Sequence, residues 1–82
     1  MSLLMDVHNL DDVTLDAVAG AHQADLATQG PYDVEYQRYW VDEAQGAIFC
    51  LVEAPSADAA STVHREAHGL VAEEIFEVKE GS

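Results

Sequence analysis

The hydrophobic and polar residues of the chain follow two periods, which predict four strands and two helices. A period of two, with Val, Tyr and Trp enriched, predicts strands at residues 3–8, 32–41, 47–53 and 74–79. Apolar residues spaced three and four apart predict helices at residues 14–28 and 55–68. Gly30-Pro31 and Gly69 follow these helices and are typical helix terminators.

The order of these elements predicts the fold. It is βαββαβ, the order of an α+β ferredoxin-like sandwich with a four-stranded antiparallel sheet and two helices on one face. Residues 1–82 are expected to form a single domain of this kind. Right-handed crossovers place the first and third strands side by side in the centre of the sheet. No helix covers the other face, which strand two makes partly apolar, so a homodimer packed through this face is expected.

The two faces of the first strand differ in chemistry. Leu3, Met5 and Val7 share one face, whereas Asp6 and His8 share the other. Because the apolar set is better suited to a core, Asp6 and His8 are expected on the face that no helix covers. His8 is also expected at the opposite end of the molecule from the end of the second helix.

The chain carries an unusual excess of acidic residues. Its 16 Asp and Glu and three Lys and Arg give a formal net charge of −13. This charge disfavours nucleic acid and anionic membrane surfaces as partners and attracts cations, although a solvated acidic surface equally explains it.

Cys50 is the single cysteine, which excludes a disulfide within the chain and fits a reducing interior. With no signal peptide and no apolar stretch long enough to span a bilayer, the expected location is the cytoplasm.

The histidines and two of the carboxylates suggest metal chemistry. His64 and His68 lie at positions i and i+4 of the second helix, so one helix face presents both imidazoles. We expect the two helices to run parallel to each other, which would bring His22 and Asp25 of the first helix to the same end. His22 also fits a core histidine bonded to backbone, since it lies on the apolar stripe Leu15, Ala19, His22 and Leu26.

Asp6 and His8 form a second candidate group on the first strand. With His8 expected at the far end, there are either two metal sites or ligands shared between two chains of a dimer. Cys50 lies in the most apolar strand and is interpreted as a buried structural thiol. A site of nitrogen and oxygen ligands suits nickel, copper or zinc, and ligand type alone does not select among these.

The sequence also resembles a known family, the small ferredoxin-like nickel-binding proteins once catalogued as a domain of unknown function. The resemblance runs from Met5 to Val78 and is carried by the stretches Met5-Asp6-Val7-His8, Ala21-His22-Gln23-Ala24-Asp25-Leu26, Phe49-Cys50-Leu51, Ala54-Pro55-Ser56 and Val63-His64-Arg65-Glu66-Ala67-His68-Gly69. It implies a cytoplasmic homodimer that binds Ni²⁺ and helps the cell tolerate excess metal. Carried over residue by residue, it implies metal ligands among Asp6, His8, His22, Asp25, His64 and His68.

Three functions compete at this stage. The leading hypothesis is a non-enzymatic protein that sequesters nickel, with Zn²⁺ or Cu²⁺ as other occupants of the site. The alternative is a small dimeric α/β-barrel enzyme of the oxygenase or isomerase type, which fold analogy alone suggests. A plain interaction module with incidental histidines is the third.

Overall fold

The computed structural model describes residues 1–81 and has the predicted order of elements. Its strands are β1 (Ser2–Asn9), β2 (Glu35–Asp42), β3 (Ala47–Ala54) and β4 (Glu74–Glu77), and its helices are α1 (Leu15–Thr28) and α2 (Ala57–Ala67). Strand β2 begins three residues later than predicted, because Tyr32 ends a short 3₁₀ helix, Gly30–Tyr32. The strands form one antiparallel sheet in the order β2-β3-β1-β4, which confirms the ferredoxin-like prediction.

Local capping fixes where the two helices begin and where α2 ends. The hydroxyl of Thr14 accepts a hydrogen bond from the Ala17 amide at 3.2 Å, and the Ser56 hydroxyl accepts one from the Ala59 amide at 3.1 Å. Gly69 follows α2 with a φ of 81°, and its amide donates to the His64 carbonyl at 2.9 Å. Gly69 therefore ends α2 as the sequence predicts.

The prediction that the two helices run parallel is wrong. Helix α1 follows β1 and α2 follows β3, and these two strands are antiparallel neighbours in the sheet. Because each helix reverses the direction of the strand before it, the helices run antiparallel to each other. The C-terminal part of α2 therefore lies over the C-terminal part of β1, so His8 lies at the same end as His64 and not at the opposite one.

The predicted facing of β1 is also wrong. Leu4, Asp6 and His8 are 4%, 0% and 7% exposed, and they face the helices. Leu3 and Met5 are instead half-buried on the outer face. The more apolar residues of this strand are thus turned away from the core, and the polar ones are buried because the helices and β2 supply partners for them.

Helix α1 buries a different face from the predicted apolar stripe. Val18 and Asp25 are its buried residues, whereas Leu15 and Leu26 are 53% and 39% exposed. Apolar residues lie nearly all round this helix, so its sequence pattern does not select one face. The core contains these buried residues: Leu4, Val13, Val18, Val34, Tyr36, Ile48, Cys50, Val52, Ala54, Ala60 and Val63.

A bulge in β2 changes which residues face the core. The pairing with β3 shifts between Tyr36 and Arg38, so the alternation of faces is displaced by one residue. Tyr36 and Tyr39 therefore both pack against the core although they lie three residues apart. Trp40 faces outward and is 47% exposed.

No helix within residues 1–81 has the length and apolar character needed to cross a membrane.

Candidate metal centre

His64 of α2 lies at the centre of a buried polar cluster. Its side chain is 2% exposed and is held between carboxylates from two other elements. The Nδ1 atom lies 2.8 Å from Asp25 Oδ1 of α1, and the Nε2 atom lies 3.0 Å from Asp6 Oδ2 of β1. One imidazole thus connects the two layers of the fold through both of its nitrogens.

Two further histidines lie against this central ring. His8 Nε2 is 3.3 Å from His64 Nε2 and 3.2 Å from Asp6 Oδ1. His68 Nε2 is 3.1 Å from His64 Nδ1 and 3.0 Å from Asp25 Oδ1. His68 is the C-cap of α2, and its amide donates to the His64 carbonyl at 3.1 Å, so the two side chains lie one helical turn apart, as their i, i+4 spacing predicts.

Tyr36 is a member of the cluster that the sequence analysis missed. Its hydroxyl donates to Asp6 Oδ2 at 2.8 Å, and its ring stacks on the His64 ring with centroids 4.3 Å apart. Only the bulge and the true facing of β1 place it there, so no spacing rule would have found it. Cys50 is buried, as the sequence predicts, but it also lies directly opposite Asp6 in the sheet and belongs to the same donor group.

The cluster shifts the pKa values of its members in a consistent way. Burial opposes the charge of His64, but hydrogen bonds to Asp25 and Asp6 prevail and raise the pKa of His64 to about 9. Burial likewise opposes ionisation of Asp6, but hydrogen bonds from His64 and His8 hold the pKa of Asp6 well below its usual range. Burial, and then the charge of Asp6, raises the pKa values of Tyr36 and Cys50. The metal-free cluster is therefore an imidazolium between two carboxylates.

The hydrogen bonds of His68 indicate where its proton lies. The Leu70 amide donates to His68 Nδ1 at 3.1 Å, so the proton of the neutral ring is on Nε2, which donates to Asp25. Burial lowers the pKa of His68, which favours this neutral form. Within residues 1–81, every buried side-chain nitrogen and oxygen has a hydrogen-bond partner.

The spacing of the donor atoms fits a metal ion. Asp25 Oδ1, His64 Nδ1 and His68 Nε2 form a triangle with edges of 2.8, 3.0 and 3.1 Å. Metal–ligand bonds of about 2.1 Å at right angles place neighbouring donors about 3.0 Å apart. The triangle therefore has the dimensions of one face of an octahedral site, and we name these three residues the outer site.

Five of the six predicted ligands lie in this cluster: Asp6, His8, Asp25, His64 and His68. His22 belongs to neither group of donor atoms found among the described residues. It is half-buried, and its ring lies 4.8 Å from the Tyr39 ring, centroid to centroid. Both rings line a cavity of ≈ 20 Å³ that also reaches His68. This volume holds one water-sized particle.

Comparison with known proteins connects the sequence with a response to nickel. Residues 4–78 match the family described as nickel responsive protein, SCO4226-like. The chain belongs to this family. The crystal structure of SCO4226 from Streptomyces coelicolor A3(2) is 43% identical in sequence and has a TM-score of 0.91, covering 99% of this chain and 100% of that chain. No curated protein matches the sequence. The family resemblance in the sequence is thus confirmed, and the SCO4226-like description names a response to nickel, not an enzymatic reaction.

Proposed function

We propose that this SCO4226-like protein binds and sequesters nickel as cargo and thereby contributes to metal tolerance. The observation that carries the proposal is the outer site, a triangle of two imidazole nitrogens and one carboxylate oxygen with octahedral dimensions, in which Asp25 and His64 are buried and His68 is half-buried. Nitrogen and oxygen donors suit Ni²⁺, and Zn²⁺ and Cu²⁺ compete for the same ligands. We place the protein in the cytoplasm, where the free thiol of Cys50 stays reduced.

Nickel takes the place of protons in this cluster. His64 must release a proton to bind through Nδ1, and that proton passes to solvent. His68 binds through Nε2, so its proton moves to Nδ1 and the contact with the Leu70 amide opens. The Asp25 and Asp6 carboxylates then balance the two charges of the ion, as a buried cation requires.

Binding explains the cluster better than catalysis does. Neighbouring donor atoms lie 2.8–3.3 Å apart, so the space between them admits metal ions but no organic substrate. A general acid or base must reach a substrate atom at hydrogen-bond distance. His64, which has the most perturbed histidine pKa, is 2% exposed and is enclosed by other protein groups.

Calorimetric titration with Ni²⁺ at neutral pH tests the proposal. His68→Ala is expected to weaken nickel binding by more than the roughly 10–100-fold that loss of an outer-shell partner costs, because it removes a direct ligand. Arg65→Ala is the matched control, since Arg65 lies on the same helix but is exposed. Wild-type protein without heat of nickel binding, or a His68→Ala variant with wild-type affinity, would contradict it.

We also propose that the protein is a homodimer that packs through the outer face of the sheet. This face carries an apolar surface across all four strands: Leu3, Met5, Val7, Trp40, Phe49, Leu51 and Phe76. Trp40 and Phe76 are 47% and 49% exposed. Since β1 turns its more apolar residues to this side, a second copy is the partner that most simply buries them.

A double charge substitution tests the dimer. Trp40→Lys with Phe76→Lys is expected to give a folded monomer, because like charges on both copies oppose burial of the face. Sedimentation equilibrium measures the mass, and circular dichroism checks the fold. Gln23→Lys with Ala27→Lys on exposed positions of α1 is the control and should stay dimeric. A wild-type protein that sediments as a monomer would refute the interface.

A further inference from the structure

A second set of donor atoms lies on the other side of the His64 ring. Asp6, His8, Cys50 and His64 each offer one ligand atom, and these four atoms all lie within 4.8 Å of one another. All four residues are buried. The outer site uses the Nδ1 atom of His64, whereas this second set meets its Nε2 atom. The two sets share a residue but no atom.

The geometry points to a second, inner metal site made of Asp6, His8 and Cys50. Its fourth ligand is His64 Nε2, so the imidazole ring joins the inner ion to the outer one. The inference rests on the proposed function, because it assigns a second ion to the same cluster. Two metal–nitrogen bonds of about 2.1 Å on opposite sides of one ring place the two ions on the order of 6 Å apart.

The donor types of the inner site favour a tetrahedral ion. His8 Nε2 lies 3.3 Å from His64 Nε2 and 3.2 Å from Asp6 Oδ1, and His64 Nε2 lies 3.0 Å from Asp6 Oδ2. A tetrahedral ion with bonds of about 2.1 Å separates its ligands by about 3.4 Å, a spacing that the two His8 distances approach. Two imidazoles, a carboxylate and a thiolate form a set that zinc-type ions accept. The inner site thus takes a zinc-type divalent cation, and nickel is the ion of the outer site.

Charge balance supports two ions in this buried space. Two divalent cations bring four positive charges. The carboxylates of Asp6 and Asp25, the thiolate of Cys50 and the imidazolate of His64 bring four negative ones. Binding of both ions therefore releases the thiol proton and both ring protons of His64 to solvent, and it leaves no net charge in the interior.

One cavity borders both sites. The cavity of ≈ 20 Å³ between α1 and the sheet is lined by His8 and Cys50 of the inner site and by Asp25 and His68 of the outer site. A dehydrated ion is smaller than the one water-sized particle that this volume holds, so the cavity has room for it next to either site.

Titration with Co²⁺ alone tests the inner site, with native mass spectrometry to count ions and absorption spectroscopy to detect a thiolate-to-cobalt band. The wild-type chain is expected to bind two ions and to show the band. Cys50→Ser should lose the band, whereas His8→Ala and His68→Ala should each bind one ion. Of these two, only His68→Ala keeps the band, because its remaining ion is the inner one.

The outcomes separate the two proposals. One ion per wild-type chain, no thiolate band, or two ions retained by His8→Ala would overturn the inner site and leave the outer site standing. No ion at all would refute the proposed function itself. Crystals soaked with cobalt give an independent check, since anomalous peaks are expected against both nitrogens of His64. If His8→Ala fails to fold in chelator, the comparison of Cys50→Ser with the wild type decides.

Discussion

Replacing His64 with alanine is expected to abolish nickel binding and to lower the free energy of unfolding by about 3–5 kcal/mol, the cost of breaking a buried ion pair. His64 lies 2.8 Å from Asp25 and 3.0 Å from Asp6, both of which are buried. Without the imidazole, two carboxylates share the interior with no positive partner, and a cavity replaces the ring. Nickel calorimetry measures the loss of binding, and urea denaturation of the metal-free protein measures the change in the free energy of unfolding.

Two variants separate the role of His64 from general damage to helix α2. Arg65→Ala changes the next residue, which is exposed, and is expected to stay within about 0.5 kcal/mol of the wild type. His64→Gln keeps a hydrogen-bond donor and should retain more stability than alanine, yet still fail to bind nickel. A His64→Ala protein with wild-type stability would show that the cluster does not contribute to folding.

The fold was predictable because its signals are local. The breakers Gly30-Pro31 and Gly69, the cap at Ser56 and the alternation of apolar residues are each encoded within a few neighbouring positions. Their order then limits the topology through the handedness of the crossovers. The start of β2 is predicted three residues too early, because Tyr32 belongs to a 3₁₀ helix, and its aromatic side chain is equally typical of a strand.

The direction of the helices and the faces of β1 were not predictable in the same way. Both faces of β1 carry apolar residues. Its periodicity therefore shows which residues share a face, but not which face is turned towards the helices. The polar face is buried because Tyr36, His64 and His8 supply Asp6 with hydrogen bonds from three elements. Such partners are far apart in sequence and become apparent only in the structure. The apolar outer face is explained in the same way if a second chain covers it.

The candidate site combines predictable and unpredictable parts. The i, i+4 spacing of His64 and His68 predicts from sequence alone that two of the three residues of the outer site lie together. Asp25 lies next to His64, as predicted. The prediction was based on a parallel arrangement of the two helices, which the structure contradicts. His8 was placed at the wrong end, and Tyr36 was missed because a bulge in β2 decides which way it faces.

The affinity for nickel is expected to rise about tenfold for each pH unit between pH 6.5 and 8.5. The pKa of His64 is raised to about 9, so the metal-free protein holds a proton there that nickel must displace. The same shift makes the ion pairs of His64 stabilise the metal-free fold fully below pH 6.5, and this contribution is lost as the pH rises through about 9. Rising pH thus weakens the metal-free form and favours the nickel-bound one. Competition with a chelator of known pH dependence measures the slope.

The shape of the pH profile identifies the group that releases the proton. A histidine with an ordinary pKa near 6.5 would give an affinity that levels off above about pH 7. His64 instead predicts a slope that continues to about pH 9. Asp6→Asn removes one of the two carboxylates that raise the pKa of His64, so its profile should level off at a lower pH, whereas Glu77→Gln on exposed β4 should not alter it. A wild-type profile already flat at pH 7.5 would mean that nickel does not bind through His64.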